Sequence, residues 1–392
     1  MGVSSFILVH ARYRHGAHRV SDHREEKAVD AGRRKRRAVA GLILLALAAF
    51  PAHAVESLRV AFYHTELSRD GPGLLLRDIM TGEDEQVLAV VRVVRHADPD
   101  VLVLGGIDWD LHAHALAALA NAIGGYPHRF AARPNRGVRS GADLDGDGRA
   151  DGPGDDFGYA GFAGQKGLAV LSRLPIAAPD ARDFSELLWR DLHGALIADL
   201  VAEQARLSTT AHWDVPVVLP DGERLNLLIW HATPPVFDGP TDRNGRRNHD
   251  EAAFWLRYLD GAFGPPPQSF VLLGAANLDP ADSEGRPEAL LQLLSDNRLQ
   301  DVRPASAGGA AASESDGGVN RRHRGAAALD TVNWPDEDGW PGNLRVDYVL
   351  PSASLNVTGA GVVWPPPEAS LGRDAEIASR HRLVWVDINF DP

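Results

Sequence analysis

Several stretches of this chain carry side chains able to do chemistry. Leu225 to Trp230 is an apolar run of the length and content of a buried strand, and it ends in His231. Pro234-Pro235 then forbids further ladder pairing. A histidine at the carboxyl end of a core strand, above a polar loop, can move a proton near neutral pH; it can equally cap the strand end. The loop 238–250 is crowded with Asp, Asn, Arg and Gly, and Asn244 within it is a candidate substrate contact. His64 closes the apolar run Leu58 to Tyr63, and Asp108 follows Gly105-Gly106-Ile107 at the end of another. With His231 these two could recruit a softer metal such as zinc or manganese. Alone, His64 reads as a solvated strand end and Asp108 as an acceptor that orders a loop. Asp143, Asp145 and Asp147, with Gly148 after them and Asp151 further on, follow the opening spacing of a calcium loop. The twelfth position is Gly154 rather than a bidentate glutamate, and Asp155 or Asp156 stands nearby. Carboxylates this close repel without a cation, so calcium is one reading and a solvated acidic turn the other.

The elements that must position these groups follow from hydrophobic spacing. Leu58 to Tyr63, Val101 to Leu104, Gly167 to Ser172, Ser269 to Leu273, Arg345 to Leu350, Leu355 to Val363 and Leu383 to Ile388 read as strands. Residues 207–218 and 224–230 read as paired strands across the Pro220-Asp221-Gly222 turn. Glu83 to Ala97 has helical spacing, as do Leu111 to Ile123 and Glu288 to Ser295. Another helix is expected to open near Asn248, with Glu251 completing a loose capping box. The Ala/Gly/Ser-rich stretch 304–328 reads as a mobile insertion. Strands interleave with helices, yet several are hairpin-linked, so mixed sheets in an α+β fold are expected.

Composition limits the partners. The chain has no cysteine, which excludes disulfides and thiolate metal sites. Arg33-Arg34-Lys35-Arg36-Arg37, the apolar run Ala38 to Phe50 and Ala52-His53-Ala54 have the layout of a secretory signal cut after Ala54. Residues 1–54 are therefore set apart as a polar extension and signal, and 55–392 are expected to form one domain, periplasmic or secreted and monomeric. Removing residues 1–54 takes away ten Lys/Arg and four Asp/Glu, leaving 30 against 49, or −19. Such a surface repels polyanions, which makes nucleic acid an improbable partner.

An ordered set of segments resembles the endonuclease/exonuclease/phosphatase superfamily, in its secreted bacterial branch. The segments are LRVAFYHTEL, DPDVLVLGGIDWD, SGADLDGDGRADGPGDDFGYAGFAGQKGLAVLSRLPI, HWDVPV, HATPPVFDGPTDRNGRRNHDE, FVLLGAANLDP, RVDYVLPS and SRHRLVWVDI. The resemblance implies a four-layer α/β/β/α sandwich and a phosphoester-hydrolysing site that uses a divalent metal, magnesium or manganese. Carried over by position, it makes His231 the histidine on the scissile phosphate. It makes Asn277 the asparagine of the Gly-Asp-x-Asn motif, and Asp347 and His381 the carboxylate–histidine pair.

The same carry-over exposes departures. His64 stands where the family has asparagine, Gly106 where it has the metal-binding glutamate, Ala275 for the motif's aspartate, and Arg380 for the aspartate of the closing Ser-Asp-His. Three carboxylates are gone and one arginine has arrived, so the pocket is expected to be about four charges more positive. Arginine is a competent bidentate phosphate partner. Two readings follow: a phosphate or anion binder that cleaves slowly or not at all, and an active metal-dependent phosphodiesterase or phosphatase with rearranged ligands.

Overall fold

Alternation of side chains along the strands decides the layers. The computed structural model describes residues 57–197 and 204–390; the expected signal lies outside them. The strands are β1 (Ser57–His64), β2 (Val101–Ile107), β3 (His128–Phe130), β4 (Gly167–Ser172), β5 (Arg182–Asp183), β6 (His212–Val218), β7 (Arg224–His231), β8 (Phe270–Ala275), β9 (Val332–Asn333), β10 (Asn343–Leu344), β11 (Asp347–Pro351), β12 (Asn356–Val363) and β13 (Leu383–Asn389). The helices are α1 (Leu74–Thr81), α2 (Glu85–Ala97), α3 (His114–Ile123), α4 (Arg243–Leu259), α5 (Glu288–Ser295), α6 (Ala307–Asp316) and α7 (Ser370–Ala378).

One sheet has the order β12-β13-β1-β2-β4-β3, a second β11-β8-β7-β6-β5, and β10-β9 form a small third. In β1, Leu58, Val60 and Phe62 face the second sheet, while Ala61 and Tyr63 face α1, α2 and α3. In β7, Leu225, Leu227 and Ile229 face the first sheet, while Leu228 and Trp230 pack against α4 and α5. This period of two with both faces apolar is what a strand buried between a sheet and a helix layer requires. The result is the expected α+β sandwich of two mixed sheets with helices outside.

Register brings the functional strand ends to one edge. β1 and β2 run parallel, with His64 opposite Gly105. β7 and β8 run parallel, with His231 opposite Ala275, and β11 runs antiparallel to β8 with Asp347 opposite the same Ala275. β13 is antiparallel to β1, Phe62 opposite Val384, which sets the residues before Leu383 beside His64.

Two local expectations are corrected. The helix opens at Arg243, not near Asn248, and no side chain caps it. Glu251 is not a capping residue: it is buried mid-helix, where its carboxylate accepts from the Thr209 N–H at 2.7 Å and the Thr233 N–H at 2.6 Å. The stretch 304–328 is not structureless. Ser306 caps α6 by accepting from the Gly309 N–H, and Gly308 is buried with the Trp364 carbonyl where a Cβ would fall. Its small side chains show no apolar period, which hid a helix that packs closely through Gly308 and Ala312. No helix among the described residues is long and apolar enough to cross a membrane.

Candidate functional site

The sheet edge opens into a cleft of about 1330 Å³. Its floor holds His64, His231, His381 and Asn277, and the rings are mutually packed. His64 lies 4.9 Å from His231, edge to face, and 4.3 Å from His381, centroid to centroid. His381 donates from Nδ1 to Asp347 Oδ2 at 2.7 Å, which fixes the ring's orientation and leaves Nε2 free of that bond. Asn277 adopts a left-handed backbone, φ 52°, and donates from Nδ2 to the Ala232 carbonyl at 2.7 Å. His64, His231, Asn277, Asp347 and His381 thus sit at or just beyond the ends of different strands, as the register dictates.

Electrostatics keep the imidazoles of His64 and His231 neutral. Burial lowers His64 well below the ordinary histidine range, and repulsion from His381 adds to it. Burial lowers His231 likewise, with Arg136 and His64 adding to the effect. The Nδ1 atoms of both rings are buried without a partner. A buried donor or acceptor left unpaired costs about 1 to 3 kcal/mol, so both mark places where a ligand atom or water is wanted.

Three charged residues of the floor had no sequence signal strong enough to single them out. Glu66 sits two residues past His64 with φ 52° and receives Arg380: the backbone N–H at 2.8 Å, Nε at 3.0 Å, and Nη2 in a closer contact. Burial pushes the Glu66 carboxyl up, but the Arg380 bonds outweigh it and hold it at about 2. Arg136 donates from Nε to Thr210 Oγ1 at 2.9 Å and from Nη1 to the Tyr159 carbonyl at 3.3 Å, and it makes no salt bridge among the described residues, although the Glu251 charge acts on it. Burial lowers it to about 10. Lys166 opens onto the cleft, again with no ion pair among the described residues; desolvation lowers its ammonium, and the Arg136 charge lowers it further. Glu66 and Lys166 lie inside the resembling segments, two residues after one strand and directly before another. Arg136 lies in a segment without periodicity.

Backbone strain gathers at the same place. Of the eight non-glycine residues with positive φ among the described residues, Glu66, Lys166, Phe237 and Asn277 line this cleft. Such residues persist only where the surroundings over-determine them, and they concentrate at functional sites.

Other expected site residues are placed elsewhere. Asp108 does not reach the floor: its carboxylate accepts from the Arg69 N–H at 2.8 Å and the Lys166 N–H at 3.1 Å, so it ties two cleft loops together. Burial raises its pKa. Asn244 points away, donating to the Val236 carbonyl at 2.7 Å from the start of α4. Arg380 does reach the cleft, but its guanidinium is engaged by Glu66 rather than free for an anion. Asp143, Asp145 and Asp147 bring one oxygen each within 4.8 Å of the others, the sole such trio of His, Asp or Glu among the described residues. They are not part of the cleft wall. Asp151 is not in that group; it pairs with Arg149 at 3.2 Å on the surface. The Asp143 oxygens accept from the Gly146 and Gly148 N–H groups, at 2.7 and 2.9 Å.

A sequence model described as Endonuclease/Exonuclease/phosphatase family matches residues 80–381. No curated protein matches. Among solved structures, the endonuclease/exonuclease/phosphatase from Beutenbergia cavernae DSM 12333 is 19% identical over 85% of this chain and 72% of its own, with a TM-score of 0.51. At that identity the likeness speaks for the fold. A mannosyl-6-phosphatase from Bacteroides thetaiotaomicron VPI-5482 is 16% identical, covering 85% of this chain and all (100%) of its own, with a TM-score of 0.45.

Proposed function

This chain belongs to the Endonuclease/Exonuclease/phosphatase family, and from that premise we propose that its cleft binds the phosphate group of a small organic ester and, for want of a fitting carboxylate set, cleaves the ester slowly or not at all. The observation that carries this reading is the pair of cations lining the cleft, Arg136 and Lys166, which make no salt bridge among the described residues; the Arg136 charge lowers the Lys166 ammonium more than either Glu66 or Asp108 raises it. An anion between them relieves that repulsion and supplies the missing hydrogen bonds. His231 and His64 line the same cleft as neutral imidazoles, which can donate a hydrogen bond without adding charge. The acidic surface of the chain supports a small ligand over a polyanion.

The divalent metal that the family implies fits these residues poorly. Magnesium takes oxygen ligands, with one or two protein carboxylates plus water. Gly106 and Ala275 offer none, Arg380 brings a positive charge, Glu66 is held by that arginine, and Asp347 is buried against His381. Residual turnover is accordingly assigned to the chain's own side chains. What supports it is the Asp347–His381 pair, at 2.7 Å, which keeps an oriented imidazole at the floor as a proton acceptor.

The test is isothermal titration with inorganic phosphate. Binding is expected, and Lys166→Gln is expected to weaken it about ten-fold, the usual worth of a charge-assisted hydrogen bond. No heat with phosphate, or equal affinity in the variant, overturns the reading.

Two further readings belong to this proposal. Export is supported by the basic run 33–37 and the apolar run after it; amino-terminal sequencing of protein recovered outside the cytoplasm should begin near residue 55, and an intact Met1 there argues against it. Calcium at Asp143, Asp145 and Asp147 would order their loop away from the cleft. A calcium titration with no heat that Asp145→Asn removes would dismiss it.

A further inference from the structure

We propose, resting on the phosphate reading above, that the ligand's ester group is aromatic, a planar ring held between Phe237 and Trp340 at the mouth of the same cleft. Phe237 is 92% exposed and Trp340 is 53% exposed, and both line the cleft. Phe237 also carries φ 70°, a conformation that a bulky residue adopts at a cost. No packing inside the fold offsets that cost, because the ring stands in solvent. What holds it there are its neighbours: the Val236 carbonyl accepts from Asn244 Nδ2 at 2.7 Å, and the Asp238 carboxylate accepts from the Asn244 and Gly245 N–H groups. The strain therefore serves to present a ring to the cleft.

The apolar wall is continuous with the phosphate floor. Trp334 lines the cleft and meets His381 edge to face, 5.8 Å between centroids at 89°. A ligand whose phosphate lies by Lys166 and Arg136 thus shares its cleft with Trp334, Trp340 and Phe237. The cleft, at about 1330 Å³, is far larger than a phosphate needs. Flat faces of Phe, Trp and Pro favour a planar ring over a branched alkyl group, because stacked rings gain contact over a whole face. Arg322 and Arg324 stand on the same rim but are paired with Asp338 and Asp282, so the attraction for an anion comes from Lys166 and Arg136.

The experiment compares inorganic phosphate, methylphosphonate and phenylphosphonate by titration against the intact chain; the phosphonates have no ester bond to cleave. Phenylphosphonate is expected to bind at least about ten-fold more tightly than methylphosphonate, or about 1.4 kcal/mol. In Phe237→Ala/Trp340→Ala the ratio is expected to fall to within about two-fold, with the fold checked by circular dichroism. Equal binding of all three ligands overturns the aromatic inference while the phosphate reading stands. A phenyl preference that survives in the double variant also overturns it. Absence of binding by any of the three removes the phosphate reading and this inference together.

Discussion

His64 lays its imidazole over Gly106: a Cβ at position 106 would stand 2.7 Å from both Cε1 and Nε2 of that ring. Gly106 also holds φ 66°, where an L side chain is strained. The two positions are therefore one structural unit. The glycine admits the ring, and the ring occupies the space a side chain there would use. Gly106→Ala is expected to cost about 1 to 3 kcal/mol, from overpacking and the left-handed backbone. His64→Ala/Gly106→Ala should cost less than the two single changes added, with a coupling of at least about 0.5 kcal/mol in a denaturation cycle. Strict additivity would show that the ring does not hold that space. Gly106→Glu alone is expected to destabilise the chain through the same overpacking and left-handed backbone.

Glu66 restrains Arg380, so its removal has two expected effects of opposite sign. Glu66→Gln frees the guanidinium, and phosphate affinity should rise about three- to ten-fold. The same change should lower stability at neutral pH by roughly 1 kcal/mol, discounted because Arg380 is more than half exposed. The Glu66 carboxyl is held at about 2, below its ordinary 4.5, so its contribution is present above pH 4.5 and lost as pH falls toward 2. Thermal midpoints of wild type and variant should converge across that window. A difference that stays constant to pH 2 would contradict the pairing.

Lys166 makes anion affinity depend on pH. Its ammonium is lowered in the free protein by desolvation and by Arg136. A bound anion favours the charged form and raises it, so binding takes up protons above neutrality. Affinity for sulfate, which does not itself titrate there, should be constant near neutral pH and fall as pH rises through the lowered Lys166 range. The slope should approach ten-fold per pH unit once the lysine is mostly neutral. In Lys166→Gln that slope should vanish below the range of Arg136, itself lowered to about 10; an unchanged slope there would assign the titration to another group.

The sequence made the scaffold legible for a physical reason. Strands buried on both faces read as unbroken apolar runs, and His64, His231 and His381 sit at or beside the ends of such runs. The convergence of those ends came from register, which a one-dimensional pattern leaves open until strands are paired. Charge pairing was less legible. Arg380 read as a free cation because Glu66, 314 residues away, pairs with it only in the folded chain. Asp108 had two readings, a metal ligand two positions beyond Gly106 and an acceptor that orders a loop, and its bonds to the Arg69 and Lys166 backbones match the second. Arg136 lies in a segment with no period, so nothing marked it before the fold placed it beside the histidines.

Asp347 supports the floor through His381, and its loss should register in stability and in any residual turnover. Asp347→Ala leaves His381 Nδ1 without its acceptor in a buried site and should cost about 2 to 4 kcal/mol in denaturant unfolding. Asp347→Asn preserves the shape and should recover most of that loss, but it favours the other tautomer of His381. Hydrolysis of a chromogenic phosphodiester, if measurable in wild type, should fall at least about ten-fold in Asp347→Asn. Equal rates would remove His381 from the chemistry.

The proposed function requires that the cleft hold phosphate with its own cations and not through a divalent ion. Phosphate titrations in EDTA and again in excess magnesium or manganese test it most directly. The same affinity is expected in all of these buffers, with hydrolysis of the chromogenic diester near background in each. Phosphate binding that disappears in EDTA and returns with magnesium or manganese, accompanied by brisk hydrolysis, would contradict it.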